Sequence, residues 1–253
     1  MFPEAVRAIH ELKPYGFIFE NVKGLLRKSF SSYFNYVLLQ LSHPEVKAHD
    51  NMDWIEHLRL LEEYHISNAY SGFEYNVVVR LLNAADYGVP QARQRIVIVG
   101  FRNDLNVKWS FPEPTHSKEA LLYAKYGDGS YWEEHEVAKK NRPLAHADER
   151  IKAIQSSQMS LPRNERWQTV RDALKGLPDP RSSKAINYAN HEFRGGARSY
   201  KGHTGSVLDE PDDYLFHGSW TESMRQIGNA LPVTLANVIG DSVMKQLEMV
   251  VNA

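Results

Sequence analysis

Leu82-Asn83-Ala84-Ala85-Asp86-Tyr87-Gly88-Val89-Pro90-Gln91-Ala92-Arg93-Gln94-Arg95 joins two apolar, β-prone runs and decides how the rest of the chain is read. Tyr75-Asn76-Val77-Val78-Val79 precedes it, and Ile96-Val97-Ile98-Val99-Gly100 follows. Gly88 and Pro90 punctuate the connection, and Val89, standing before a proline, is biased away from helix. Gln91, Arg93 and Arg95 fall at alternate positions, which in an extended segment puts all three side chains on one face. Two guanidiniums and a carboxamide on one face are poor packing residues. They read either as a polar site on a sheet edge or as a structural salt-bridge cluster.

Working back toward the N-terminus, Ser42 to Ser71 is polar, with a helix expected around Ile55 to Tyr64. His43, His49, His57 and His65 are scattered here at no metal-ligand spacing and read as surface residues. Phe30 to Leu41 reads as an aromatic-rich helix with Phe34, Val37, Leu38 and Leu41 on one side. Before it, Tyr15 to Phe19 is a short apolar run suited to a buried strand of a parallel sheet. Glu20-Asn21-Val22 closes that run. A carboxylate at the carboxyl end of a buried strand stands where open α/β sheets place ligands, or else Glu20 only caps the following turn. Phe2, Ala5, Val6, Ile9 and Leu12 give the first helix its apolar stripe, which Pro14 ends. Up to Phe101 helix alternates with strand, which favours a βαβ arrangement.

Beyond Phe101 the character changes, with many prolines and glycines among Tyr, Trp, His, Arg and Lys. Val170 to Leu174 is a short helical candidate. Phe193-Arg194-Gly195-Gly196-Ala197-Arg198-Ser199-Tyr200-Lys201-Gly202-His203-Thr204-Gly205-Ser206 is a glycine-rich basic run. Its donors suit phosphates approached closely by backbone, and the same composition also suits a flexible surface loop. Order returns at Met224-Arg225-Gln226-Ile227-Gly228-Asn229-Ala230-Leu231-Pro232-Val233, followed by an amphipathic helix marked by Leu235, Val238, Ile239, Val243, Leu247 and Val250. Pro232 suits its first turn, and the helix N-terminus offers backbone N–H groups to a carboxylate or phosphate.

The 253 residues carry a net charge of −1, and that balance is uneven. From Lys139 to Lys201 there are 14 Lys or Arg against 6 Asp or Glu, a local +8 that leaves −9 elsewhere. Such polarisation suits a polyanionic partner, or a solvated loop region. With no cysteine, disulfides, thiolate metal sites and a thiol nucleophile within the chain are excluded. No run approaches the ~20 apolar residues of a membrane span. The N-terminal residues lack signal-peptide character, which favours the cytoplasm.

Glu20-Asn21-Val22, then Gln91-Ala92-Arg93-Gln94-Arg95, then Arg225-Gln226-Ile227-Gly228-Asn229-Ala230, with a variable basic region between the last two, form an ordered set. That set resembles the DNA cytosine-5 methyltransferase family, especially bacterial restriction-modification enzymes, over nearly the whole chain. The resemblance implies an α/β fold with three parts. Residues 1–102 would form part of a doubly wound, Rossmann-like methyltransferase sheet, and 103–211 an irregular target-recognition domain. Residues 212–253 would bring a C-terminal helix back to the sheet.

The resemblance further implies methyl transfer from S-adenosylmethionine to C5 of a cytosine flipped out of double-stranded DNA. In the family a cysteine thiolate adds to C6 first. Glu20 would hold the base through N3 and the exocyclic amine, served by a pKa that burial raises toward neutrality. Asn21 would fix the loop, Arg95 would reach the cytosine O2, and Arg93 would stand near the active-site loop. Asn229, Ala230 and Leu231 would line the methyl-donor pocket. In the basic region Arg194, Arg198, Lys201, His203, Thr204 and Ser206 would contact DNA.

Two departures stand out. The family's glycine-rich donor loop and Pro-Cys loop are missing, so the chain is expected to be inactive alone and to need an N-terminal methyltransferase half. Pro211 runs directly into Asp212-Asp213-Tyr214, where the family has a further helical stretch, so residues are expected to be missing there. The alternative is a non-catalytic DNA-binding module or regulatory subunit derived from such an enzyme. A small-molecule methyltransferase is disfavoured by the basic insert.

Overall fold

The structure, a computed structural model, describes residues 2–67, 72–143, 151–152, 154, 163–179, 181–187 and 230–251. The chain divides into two compact units. Met1–Leu82, Gln94–Pro112 and Val238–Ala253 form one, and Asn83–Arg93 with Glu113–Asn237 form the other.

In the first unit, helix α1 (Phe2–Leu12) leads to β1 (Gly16–Val22), and two 3₁₀ turns, Lys23–Leu26 and Lys28–Phe30, lead to α2 (Ser31–Ser42). Helix α3 (Trp54–Ser67) precedes β2 (Tyr75–Asn83) and β3 (Gln94–Arg102). The strands form a three-stranded sheet in the order β1-β3-β2. The centre goes to the most apolar strand. Ile96, Val97, Ile98 and Val99 are each 0% exposed, because a middle strand is covered on both faces.

The mixed α/β character expected from sequence holds and β1, α2, α3 and β2 follow in βαβ order, but the strand beside β1 corrects the expectation of direct parallel pairing. β3 runs antiparallel to β1, from Gly16 opposite Phe101 to Val22 opposite Arg95. It also runs antiparallel to β2. The N–H of Ala84 donates to the Arg93 carbonyl (2.9 Å) at one end, and the N–H of Asn103 to the Glu74 carbonyl (2.8 Å) at the other. The link from Asn83 to Gln94 is too short for the crossover a parallel pair needs, so β3 turns back along β2. β1 and β2 therefore point the same way, and both finish where β3 begins.

Alternation along β3 sorts the core. Ile96, Ile98 and Gly100 face one side, where Phe17 and Tyr75 pack with Ile9 of α1 and Phe34, Val37 and Leu41 of α2. Gly100 stands opposite Phe17, whose ring lies over it so closely that an added Cβ would come within 2.2 Å of Phe17 Cζ. On the other side the Phe101 ring meets Trp109 at 5.8 Å, and Trp109 Nε1 donates to Ser242 Oγ (3.0 Å) of the C-terminal helix.

Two of the four histidines read as surface residues are buried: His43 is 5% exposed and His57 3%. His57 Nε2 donates to the Val46 carbonyl (3.0 Å), which leaves Nδ1 to accept from the Tyr36 hydroxyl (2.9 Å). Burial lowers the pKa of His57, with the Val46 bond pulling the other way, and that favours the neutral ring used by both bonds. His43 approaches Glu74 through Nδ1 (3.2 Å) and His65 through Nε2 (2.9 Å). These rings fasten α2 and α3; partners fixed by tertiary packing are invisible in sequence spacing.

The second unit holds β4 (His116–Ser117), α4 (Lys118–Tyr126), α5 (Ser130–Glu134), β5 (Glu165–Arg166) and the helical turn α6 (Val170–Ala173). β4 and β5 pair in parallel. Leu121, Ala124, Tyr131 and Trp132 form a small core with Trp167 against it. Helix α7 (Val233–Val251) follows Pro232, whose carbonyl accepts from Ala236 N (2.9 Å). Leu235, Ile239 and Val243 are its buried stripe, as the periodicity predicts.

Candidate functional site

The strand β1 runs past the expected Phe19 and takes in Glu20, Asn21 and Val22. Register then decides what Glu20 can touch. It lies opposite Val97, and Arg95 is the diagonal neighbour on the same face. Glu20 Oε1 and Arg95 Nε are 2.6 Å apart, with the two side chains 26% and 10% exposed. This contact has the distance of an ion pair without the alignment of a hydrogen bond, so its attraction is Coulombic. Arg95 Nη1 also donates to the Gln94 carbonyl (3.0 Å), which fixes the guanidinium plane. The structure thus brings together two residues far apart in sequence that were singled out separately.

The face they share is opposite the one covered by α1 and α2. On that face of β1, Ile18 is 41% exposed and Val22 51%. Asn21 points the other way, and its Oδ1 accepts from the N–H of Val22 (2.8 Å), a local bond that closes the strand end. Lys23 Nζ donates to Gln94 Oε1 (2.7 Å), continuing the β1–β3 pairing beyond its last ladder residue. Sequence reading passed over Lys23; its basic side chain directly after the Glu-Asn-Val triplet was the available signal.

Gln91 and Arg93 are half-buried and Arg95 buried, while Ala92 and Gln94 between them are exposed. That is the alternation an extended segment dictates. Ahead of them, Asn83 caps the 3₁₀ turn Ala84–Tyr87 by accepting from Ala85 N, and Gly88 ends it at φ 87°. Only glycine takes that φ without strain, and a Cβ there would also meet the His116 ring at 2.9 Å. Asp86 in this turn accepts from Trp167 Nε1 (2.8 Å); burial raises its pKa, against the lowering effect of that bond.

A second cluster of titratable groups is structural. Asp172 accepts from Arg166 Nη1 (2.9 Å) and Nη2 (2.6 Å), from Thr169 N (2.6 Å) and Oγ1 (2.7 Å), and meets His135 Nε2 at 2.9 Å. Burial alone pushes its carboxyl up. The Arg166 and Thr169 bonds outweigh that and hold it well below the usual carboxylate range. Glu134, His135 and Asp172 have the proximity of metal ligands, but the guanidinium of Arg166 already engages both acidic residues. The adjoining cavity, about 690 Å³, takes no lining residue from the motif segments.

Of the expected donor-pocket residues, Ala230 and Leu231 are half-buried just ahead of α7, and Asn229 lies outside the described residues. Arg194, Arg198, Lys201, His203, Thr204, Ser206 and the Pro211–Asp212 junction also lie outside them. Among the described residues no helix is long and apolar enough to cross a membrane.

Comparison with known proteins bears on the same segments. The family of C-5 cytosine-specific DNA methylases matches residues 1–45 and 56–200. The type II methyltransferase M.MthTI of Methanothermobacter thermautotrophicus is 30% identical over 245 residues, covering 89% of this chain and 73% of its own. M.NgoMIV of Neisseria gonorrhoeae, also a type II methyltransferase, is 26% identical over 262 residues, with 98% and 70% covered. The motif residues, the strand that carries Glu20 and the breadth of these matches agree. The chain belongs to the C-5 cytosine-specific DNA methylase family, and by family it is a DNA (cytosine-5) methyltransferase of restriction-modification type.

Proposed function

We propose that this chain is the base-positioning and DNA-recognition part of a sequence-specific cytosine-5 methyltransferase, and that the nucleophilic cysteine comes from residues outside these 253. The ion pair of Glu20 and Arg95 carries the reading. The Watson–Crick edge of cytosine offers an amine donor at one end, N3 in the middle and O2 at the other. A carboxyl and a guanidinium side by side complement that edge: Glu20 for the amine and N3, Arg95 for O2. Without a base, the two satisfy each other. A flipped cytosine separates them and takes the contacts over.

Asn21 holds the strand end, and Arg93 supports the connection that delivers Arg95. S-adenosylmethionine would supply an electrophilic methyl group when bound. Ala230 and Leu231 offer the donor a small, half-buried apolar wall, with Asn229 as the polar member of that segment. The remainder of its pocket would come with the cysteine-bearing part. That part would complete a doubly wound sheet, for which the outer edge of β1 is open among the described residues and bears exposed Ile18 and Val22. The recognition domain over 103–211 would contact the duplex through Arg194, Arg198, Lys201, His203, Thr204 and Ser206.

The test is a methyl-transfer assay on duplex DNA. The purified chain should show no transfer alone and should gain it with a cysteine-bearing N-terminal methyltransferase half. Turnover by the chain alone overturns the division of labour. The lack of cysteine also suits a non-catalytic DNA-binding subunit, and Glu20→Ala in the reconstituted enzyme separates the two readings. Lost methylation with retained DNA binding supports catalysis, whereas unchanged methylation favours the binding module.

A further inference from the structure

We propose that the connection from β1 to α2, residues 23–30, is a second DNA-contacting surface, gripping the phosphate backbone through Arg27 and Lys28 with Lys23 beside them. The inference rests on the reading that the chain acts on DNA, and it adds a site apart from the basic run beyond residue 190. Its first support is charge. Between Glu20 and Glu45 the sequence contains no acidic residue, while Lys23, Arg27 and Lys28 are all basic. Residues 1–102 carry 11 Lys or Arg against 11 Asp or Glu, a net charge of 0, so three cations with no acid among them form a local positive island.

Exposure and pairing give the second support. All three side chains belong to exposed residues. Lys23 Nζ donates to a neutral amide oxygen of Gln94 (2.7 Å), which orients the ammonium without neutralising it. Arg27 and Lys28 make no ion pair among the described residues. Cations held near one another without counter-charges repel, and a polyanion relieves that repulsion.

The backbone beneath them is ordered. Arg27 N donates to the Gly24 carbonyl (3.2 Å) and Phe30 N to the Arg27 carbonyl (2.8 Å). Ser31 Oγ donates to the Lys28 carbonyl (2.9 Å), tying the second turn to the start of α2. Exposed Leu26 (45%), Phe30 (45%) and Tyr33 (37%) alternate with the charges, a mixture that suits sugar and base as well as phosphate.

Position is the third support. The segment begins three residues after Glu20, a span of at most ~10 Å of extended chain. A duplex that delivers a base to Glu20 passes its backbone within reach of these cations. Phosphate contacts of this kind set register and carry no sequence information.

Fluorescence anisotropy of a labelled non-cognate duplex, titrated with the full chain across ~50–200 mM salt, reads the effect. Each phosphate contact adds about 0.9 to the slope of log affinity against log salt, so R27A/K28A should flatten that slope by about 1.8. The pair K47A/R59A removes two other exposed cations of the same unit and should leave the slope as in the parent. A parent slope in R27A/K28A overturns the proposal while the DNA reading stands. A parent chain with no salt-dependent DNA binding overturns both. Lysine acetylation of the unmodified protein gives a readout independent of how the variants fold. Duplex DNA should slow acetylation of Lys28 and leave Lys47 unchanged, and equal labelling of Lys28 with and without DNA refutes the contact.

Discussion

Replacing Glu20 and Arg95 singly and together separates what their ion pair does for stability from what it does for a base. At 2.6 Å the gross attraction is roughly 6 kcal/mol for an effective dielectric near 20, using E ≈ 332/(εr). Most of that is offset by desolvation of two charges. Glu20 remains about a quarter exposed, so solvent screens part of the rest. Arg95→Met leaves a half-buried carboxylate without its guanidinium and should cost about 2 kcal/mol, below the 3–5 kcal/mol of fully buried pairs. Glu20→Gln keeps the shape but removes the charge, and for a partly exposed pair should cost about 1 kcal/mol. The double variant leaves neither charge stranded. Its cost should fall short of the sum by about 1–2 kcal/mol, the coupling typical of residues in contact.

Urea unfolding at neutral pH measures the three differences, with an unchanged m-value as the check that native and unfolded states are comparable. Methyl transfer by the reconstituted enzyme gives the second axis. The double variant recovers stability relative to Arg95→Met, but its rate should stay down by about 100-fold or more, the scale of one lost acid–base partner. Additive stability costs, within about 0.3–0.5 kcal/mol, would show that the pair does not form in solution. Near-parent methylation by the double variant would refute the base-binding role outright.

Gly100→Ala places a methyl group 2.2–2.8 Å from three atoms of the Phe17 ring and should destabilise by about 1–3 kcal/mol; Phe17→Leu in that background should recover part of the loss in the same urea assay. His57 is a base with a lowered folded pKa, so the native state takes up fewer protons than the unfolded chain as pH falls below 6.5. Its contribution is therefore present above that pH and lost below it, and ring proton NMR should show a midpoint under 6.5; a midpoint above it contradicts the buried neutral ring. Asp172 has a depressed pKa, so its contribution is present above the unfolded value near 3.9 and lost as pH falls through the folded value. Asp172→Asn should melt at lower temperature than the parent at pH 7, with the gap closing in strong acid; a gap independent of pH removes the charge argument.

The strand centres were legible because Ile96-Val97-Ile98-Val99 is β-branched and apolar, and α1, α2, α3 and α7 because their apolar residues recur at helical spacing. Strand ends were not. Glu20-Asn21-Val22 and Gln94-Arg95 are polar or exposed, yet all five lie in strands β1 and β3, and a pattern search stops where apolar residues stop. Strand direction was lost for another reason. A short apolar strand reads the same in either direction, and only the length of the Asn83–Gln94 link argued for a turn-back. His43 and His57 were misplaced because their partners, Glu74, Tyr36 and the Val46 carbonyl, are chosen by packing between α2, α3 and β2.

The site was legible as two fragments and illegible as a pair. Gln91, Arg93 and Arg95 announced a polar face, and Glu20 a carboxylate at a strand end, but register joins Glu20 to Arg95 and points Gln94 away toward Lys23. A salt-bridge cluster and a polar site stood as rival readings of that face, and the geometry shows why they are not exclusive. On the sheet face that holds Glu20 and Arg95, the neighbours Ile18, Val22, Val97 and Val99 are all apolar. A well-packed apolar pair there would stabilise the sheet at least as well as a half-desolvated ion pair. Local rules are broken in this way where a side chain has a second task. On the proposed reading, the ion pair is the resting form of the base-binding site, and would hold two charged groups at the sheet end until a cytosine edge replaced each partner for the other.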